Sequence, residues 1–281
     1  MASFTKEIFY ISLLLLSACS GLEKSEQDKL RRQNAQGEFI HRHHDEIRYP
    51  LTHPEHRIRE RYPWEMAYVG KHSKITKEYF RCKGSSTNPP HVDHKDPARP
   101  ANYLDCGGFQ KHSLPLKGEQ EFVYPILIDL LNYVQAKTGC KVIITCGHRC
   151  PVHNAYADSS TYNQNSKHMI GAEVDFYVQG MENKPEEVIK ILMAYYKEMP
   201  IYKENKQYQE FLRTSTGELN VSTPPWHNKE IFIKLYQKSE GRDFDNRHPY
   251  PYISVQVRYD RELSEKVVSS WQKAFNNYRR Y

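Results

Sequence analysis

The stretch Ser166-Lys167-His168-Met169-Ile170-Gly171-Ala172-Glu173-Val174-Asp175-Phe176 decides how the rest of the chain is read. Ala172, Val174, Phe176 and Val178 recur at every second position, the period of a strand with one buried face. Glu173 and Asp175 then share the opposite face. His168 falls in the loop before that strand, and Gly171 lets the chain turn back. A loop histidine folded over a strand aspartate presents one nitrogen and one oxygen to a metal ion, which makes His168 and Asp175 candidate zinc ligands. The plainer reading of the same residues is a solvated loop beside a surface aspartate.

Just upstream lies Ile143-Ile144-Thr145-Cys146-Gly147-His148-Arg149-Cys150-Pro151-Val152-His153-Asn154. Residues 141 to 145 read as a buried strand that delivers Gly147 and Arg149 to the end of a sheet, where sites commonly lie on loops. Together the two stretches resemble the zinc D-alanyl-D-alanine carboxypeptidases and L-alanyl-D-glutamate endopeptidases, which cut peptidoglycan peptides. That family carries a strand ending in Ser-Gly-Tyr-Arg, followed by Ser-x-His-x-x-Gly-x-Ala-x-Asp. Here the first block reads Cys146-Gly147-His148-Arg149, and the second matches at Ser166, His168, Gly171, Ala172 and Asp175. The resemblance covers about residues 141 to 178. It implies a Zn2+ cofactor held by His168 and Asp175, with Arg149 contacting substrate. Arg149 suits that role because its fixed fork of donors matches a carboxylate or a polarised carbonyl.

Zinc hydrolysis needs a third protein ligand and an open position. The related enzymes bring a downstream histidine, either in Glu-x-Trp-His or in a strand reading His-Val-Asp. Pro225-Trp226-His227 resembles the first version, with Pro224 where the glutamate would stand. Ile253-Ser254-Val255-Gln256-Val257 resembles the second, with Ser254 and Gln256 in place of its polar residues. Three readings stay open: His227 completes the site, His248 completes it, or the third ligand is gone and the domain binds cell-wall peptides without cutting them. Glu230 is named as general base for its closeness to His227, although its strand parity points it away. Glu173 shares the face of Asp175 and is the alternative, as a group behind the ligands.

The flanking pattern is that of an α+β domain over residues 119–281, a small antiparallel sheet with helices packed on it. Phe122, Ile126, Leu127, Leu130, Leu131 and Val134 recur at helical spacing, with Pro125 in the first turn and Gly139 as the stop. Pro185 opens a second amphipathic helix through Lys197, with Val188, Ile191, Leu192 and Tyr195 toward the sheet. Residues 203–213 read as a polar helical segment. Alternating runs follow at 230–236 and 252–259, and a last helix is expected over 263–278, from Val267, Trp271 and Phe275 at spacing four.

The chain begins with Lys6 and an apolar run from Ile8 to Leu16, too short to span a bilayer. Leu16-Ser17-Ala18-Cys19 looks like a bacterial lipoprotein signal over residues 1–18, with Cys19 lipidated and Ser20 favouring the outer membrane. Residues 19–47 read as a polar tether. His41-Arg42-His43-His44 and His53-Pro54-Glu55-His56 are histidine-rich, but at this density of charge they fit a solvated surface better than a metal tract. Residues 48–118 form a long Cys-, His- and Pro-rich extension with no regular element legible in it.

Besides Cys19 the chain has Cys82, Cys106, Cys140, Cys146 and Cys150. In an oxidising compartment, Cys82 with Cys106 is one plausible bridge, the last three cysteines supply at most one more, and one thiol is left over. The net charge of +6 suits partners rich in carboxylates, such as peptidoglycan stem peptides, and no nucleic-acid motif accompanies it. The expectation is therefore a lipid-anchored zinc peptidase of the bacterial cell envelope, facing the periplasm and acting on D-alanyl or related bonds. Its rivals are a non-catalytic binder on the same fold and a structural envelope protein cross-linked through the odd cysteine.

Overall fold

A computed structural model describes residues 67–84, 105–157, 165–217 and 219–281. The leader, Cys19, the tether and both histidine tracts lie outside the described residues. No helix among the described residues is long and apolar enough to cross a membrane.

Short strands β1 (Tyr68–Val69) and β2 (His72–Ser73) form a hairpin, as do β3 (Leu116–Lys117) and β4 (Gln120–Glu121). Helix α1 (Pro125–Thr138) starts with Pro125, whose missing N–H costs nothing in a first turn. It ends at Gly139, which caps it in the left-handed conformation. Strand β5 (Val142–Cys146) leads to helix α2 (Pro151–Ala157), and β6 (Glu173–Val178) leads to α3 (Pro185–Glu198). Then come α4 (Lys206–Gln209), β7 (Leu212–Arg213), β8 (Trp226–His227), β9 (Ile231–Tyr236), β10 (Tyr252–Val257), the hairpin β11 (Tyr259–Asp260) and β12 (Glu265–Lys266), and α5 (Trp271–Asn276).

Six strands make one antiparallel sheet in the order β5-β6-β10-β9-β8-β7. The alternation in β6, β9 and β10 places Val174, Phe176, Ile233, Leu235, Ile253 and Val255 on one face, where they pack with Leu127, Leu130 and Leu131 of α1 and with Val188 and Leu192 of α3. Each such side chain, fully buried, contributes about 1.5–3 kcal/mol of hydrophobic stabilisation. The α+β architecture is the one its sequence pattern describes. The segment before residue 119 also enters the core through Ile75, Phe80 and Leu114, each 0–1% exposed.

Two expected helices turn out differently. Residues 203–213 hold only α4 before joining the sheet as β7, so most of that polar run serves as connection and edge strand. The expected terminal helix is cut short: residues 263–266 belong to the β11–β12 hairpin and only 271–276 are helical. Asp260 Oδ1 accepts from the backbone N–H groups of Glu262 and Leu263, Ser264 adopts φ 54°, and Ser270 caps α5 by accepting from Lys273 N. A capping serine and a side-chain-stabilised turn defeat the spacing-four pattern there.

Candidate metal centre

On the sheet face away from the helices, the register brings polar residues of four strands into rows. Cys146 pairs with Asp175, Asp175 with Ser254, and Ser254 with Lys234. The next row holds Glu173, Gln256, Phe232 and His227. His168 arrives from a single 3-10 turn (Lys167–Ile170), whose first N–H groups are gathered by Ser166 Oγ accepting from His168 N. Gly171 closes that turn at φ 68°, and a Cβ there would meet Phe122 O at 2.9 Å. Gly147 allows an equally close approach, since its Cβ would lie 2.6 Å from Phe80 Cα. Both motif glycines are thus required by backbone packing beside the site.

Cys146, His168 and Asp175 each point one ligand atom into a common space, with all three atoms within 4.8 Å of one another. All three are buried, at 3–4% exposure. His168 Nδ1 lies 2.7 Å from Gly147 O, a contact in which the ring N–H donates and leaves Nε2 for a metal. His168 Nε2 is 3.4 Å from Asp175 Oδ2 and 3.7 Å from Glu173 Oε1. Asp175 Oδ2 accepts from Asn246 Nδ2 at 2.8 Å, and Thr145 Oγ1 donates to Asn246 Oδ1 at 2.6 Å. Asp175 Oδ1 is buried with no hydrogen bond. A buried, unpaired carboxylate oxygen is costly unless something cationic occupies the space beside it. Burial would raise the Asp175 carboxyl, but His168 outweighs that and holds it below the usual carboxylate range. Sulfur, nitrogen and oxygen donors in this arrangement fit a zinc ion with one position left open.

His227 is placed elsewhere, whereas the backbone N–H of Arg149 donates to His168 O at 3.4 Å beside the site. His227 sits on the same sheet face as Glu173, but three strands away, roughly 14 Å at the usual spacing. Its Nδ1 pairs with Thr214 Oγ1 at 2.8 Å, and its ring stacks on Phe232. The Arg149 side chain bonds two carboxylates. Its Nε donates to Asp245 Oδ2 at 2.5 Å and its Nη2 to Asp243. Asp245 also meets His153 Nε2 at 3.0 Å. Burial pushes the Asp243 carboxyl up, whereas at Asp245 the opposite pull of Arg149 and His153 wins and holds it well below its usual value.

Glu230 lies under the other face, accepting from Tyr202 OH at 2.8 Å, and burial raises its carboxyl. The His248 ring lies 5.0 Å from that of Tyr177 at a tilt of 41°, two residues beyond Asp175 on the same strand, with both ring nitrogens buried and unpaired. Glu173 is the further carboxylate beside His168, accepting from Ser254 Oγ at 2.9 Å and Gln256 Nε2 at 2.6 Å. Cys146 is the functional candidate that sequence reasoning passes over. Its signal was its place in the first block, where the related enzymes have serine.

A family model described as Peptidase M15 matches residues 107–208. The match spans both motif blocks, so this segment is similar to the M15 peptidases. No curated protein and no solved structure matches the chain.

Proposed function

We propose that the chain is a zinc metallopeptidase of the bacterial cell envelope that hydrolyses D-alanyl or related peptide bonds in peptidoglycan stem peptides. The observation that carries this reading is the convergence of Cys146, His168 and Asp175 on one space, with Asp175 Oδ1 unpaired beside it. These three residues would hold the metal. Zinc, when bound, polarises a carbonyl as a Lewis acid and lowers the pKa of water. Glu173, whose carboxylate lies 3.7 Å from His168 Nε2, takes the proton from the attacking water and returns it to the leaving amine. Ser254 and Gln256 keep that carboxylate in place by donating to Oε1. Lys234, in the same row as Ser254 and Asp175, is the cation available to a substrate carboxylate on this face. Arg149 supports the floor of the site from beneath, through Asp243, whose Oδ1 accepts from Asn246 Nδ2 at 3.1 Å. In this reading Cys19 carries a lipid that anchors the chain in the envelope, with the catalytic domain facing the periplasm.

Metal analysis and cleavage of purified cell-wall fragments test the proposal together. His168→Ala, Asp175→Ala and Cys146→Ala should each lose zinc from this site and lose hydrolysis. Glu173→Gln should keep the zinc and lose hydrolysis. His227→Ala should keep both. A second reading, a peptidoglycan binder that does not cut, has one observation in its favour: the Arg149 guanidinium is engaged by Asp245 and Asp243 of this chain through Nε and Nη2. Zinc bound by the parent with fragments bound but uncut would decide for that binder. Zinc unaffected by all three ligand variants would remove the site altogether.

A further inference from the structure

A second group of metal-ligating side chains lies outside the site just described. Cys82, Cys106, His112 and Cys150 also bring one ligand atom each to within 4.8 Å of all the others. Three of the four are nearly inaccessible, with Cys82 and Cys150 at 1% and His112 at 3% exposure. They come from three separate parts of the chain: the segment ending at residue 84, the segment 105–112, and the residue just before α2.

The geometry distinguishes a metal site from a bridge. The Sγ atoms of Cys82 and Cys106 are 3.8 Å apart. Zn–S bonds of about 2.3 Å at the tetrahedral angle put two sulfurs about 3.8 Å apart, while a disulfide needs about 2.05 Å. A bridge between any two of the three cysteines would also leave the third thiol and the histidine facing it.

His112 supplies an independent observation. Its Nδ1 lies 2.9 Å from Ser113 O, so that nitrogen carries the proton and donates. Its Nε2 is buried with no hydrogen bond. A histidine whose one nitrogen is fixed by a backbone carbonyl while the other faces thiols has the tautomer and the aim of a metal ligand. The sulfurs are prepared as well. Backbone N–H groups of Gly108 and His153 point at Cys106 Sγ and Cys150 Sγ, at 3.4 and 3.3 Å. His153 Nδ1 stands 3.4 Å from Cys82 Sγ, with Asp245 behind its other nitrogen. Such donors stabilise thiolates rather than thiols.

We infer that Cys82, Cys106, His112 and Cys150 bind a structural zinc ion, separate from the Cys146–His168–Asp175 centre. As the metal enters, the three thiols give up their protons to solvent. Four protein ligands close the coordination sphere, so this ion holds structure and offers no open position for chemistry. It fastens the segments around Cys82 and Cys106 onto the start of α2. Those segments bury no continuous apolar face of their own: among their described residues, Ile75, Phe80 and Leu114 are the ones in the core. A metal cross-link is the kind of staple such a piece of chain needs.

The test uses the full chain, purified without chelator, in a His168→Ala/Asp175→Ala background that removes the first centre. One equivalent of zinc should remain, and its cobalt-substituted form should show thiolate-to-cobalt charge-transfer absorption. Adding His112→Ala should remove that equivalent, and His112→Cys should keep it with an added thiolate. A background variant with no zinc would overturn the inference, as would zinc unchanged by His112→Ala. The parent protein provides a check that needs no variant to fold. Iodoacetamide should label Cys106 only slowly until a chelator is added. Equal labelling with and without chelator, or a peptide map of the non-reduced parent showing a disulfide among Cys82, Cys106 and Cys150, would overturn it too. Loss of the first centre alone leaves this second equivalent in place, so the two assignments fail separately.

Discussion

Replacing Arg149 with methionine separates a structural from a substrate-binding role. Methionine keeps much of the apolar stem and removes the guanidinium. The structure then leaves Asp243, at 20% side-chain exposure, without its cation, and Asp245, at 5%, with His153 alone. Breaking a buried pair by removing one partner costs about 3–5 kcal/mol, because the orphaned charge stays desolvated. Asp243 is the more accessible of the two and recovers some solvation, so the lower part of that range applies to it. For a unit of about 150–250 residues each kcal/mol lowers Tm by about 2–4 °C, so the loss should be roughly 6–20 °C.

Thermal unfolding should be followed in excess chelator, so that metal binding does not add to the shift. Arg149→Lys should fall between parent and methionine variant, since an ammonium cannot span two carboxylates as a guanidinium does. Combining Arg149→Met with Asp245→Asn should recover part of the loss, because it removes one of the two charges left without the guanidinium. An unchanged Tm for Arg149→Met, with KM raised for cell-wall fragments, would refute the reasoning and return Arg149 to the substrate.

Two further outcomes are expected. Glu230→Gln should flatten the pH dependence of stability above about pH 4.5 and leave hydrolysis intact. The sign follows from burial: the folded state holds a proton on Glu230 that the unfolded state has released, so parent stability falls as pH rises through that window, and the amide does not titrate; a hydrolysis rate abolished by this change would make Glu230 a base after all. Cys19→Ala should move the protein from the detergent phase to the aqueous phase, and equal partitioning of variant and parent would dispose of the lipid anchor.

Much of the fold was legible because it rests on local periodicity. The helix over 125–138 had a glycine stop and an apolar stripe that agree with the structure, although the expected pattern began at Phe122, three residues before the helix opens at Pro125. Strands β6, β9 and β10 had clean alternation that matched a sheet with one face on the core. Helix α2 carried no such stripe. It buries His153, Asn154 and Tyr156, polar-headed side chains that an apolar period does not register. The last helix misled because Val267, Trp271 and Phe275 sit four apart by coincidence of a hairpin and a capped turn, and Phe275 is 42% exposed.

The site was legible in its faces and not in its neighbours. A period of two tells which side of a sheet a residue occupies, and it puts Glu173 and Asp175 on one side, where the pairing of β8 also places His227. It says nothing about how many strands separate them, which depends on the pairing order. Here β10 and β9 lie between β6 and β8, so His227 shares a face with Asp175 and not a neighbourhood. Cys146 is the converse case. It lies 29 residues before Asp175 in sequence, yet the antiparallel pairing of β5 with β6 makes the two direct partners across a register shift. That irregularity between Ile144 and Cys146 turns the last residue of β5 toward the site. A bulge of this kind has no signature in the sequence beyond the residues that follow it. The same end of β5 then supplies Gly147 O to His168 and, four residues after Cys146, the thiol of Cys150 to the cysteine cluster. One strand terminus therefore feeds both metal-ligating groups, which is why residues 146–150 carry so many buried polar side chains: Cys146, His148, Arg149 and Cys150 are each 1–3% exposed.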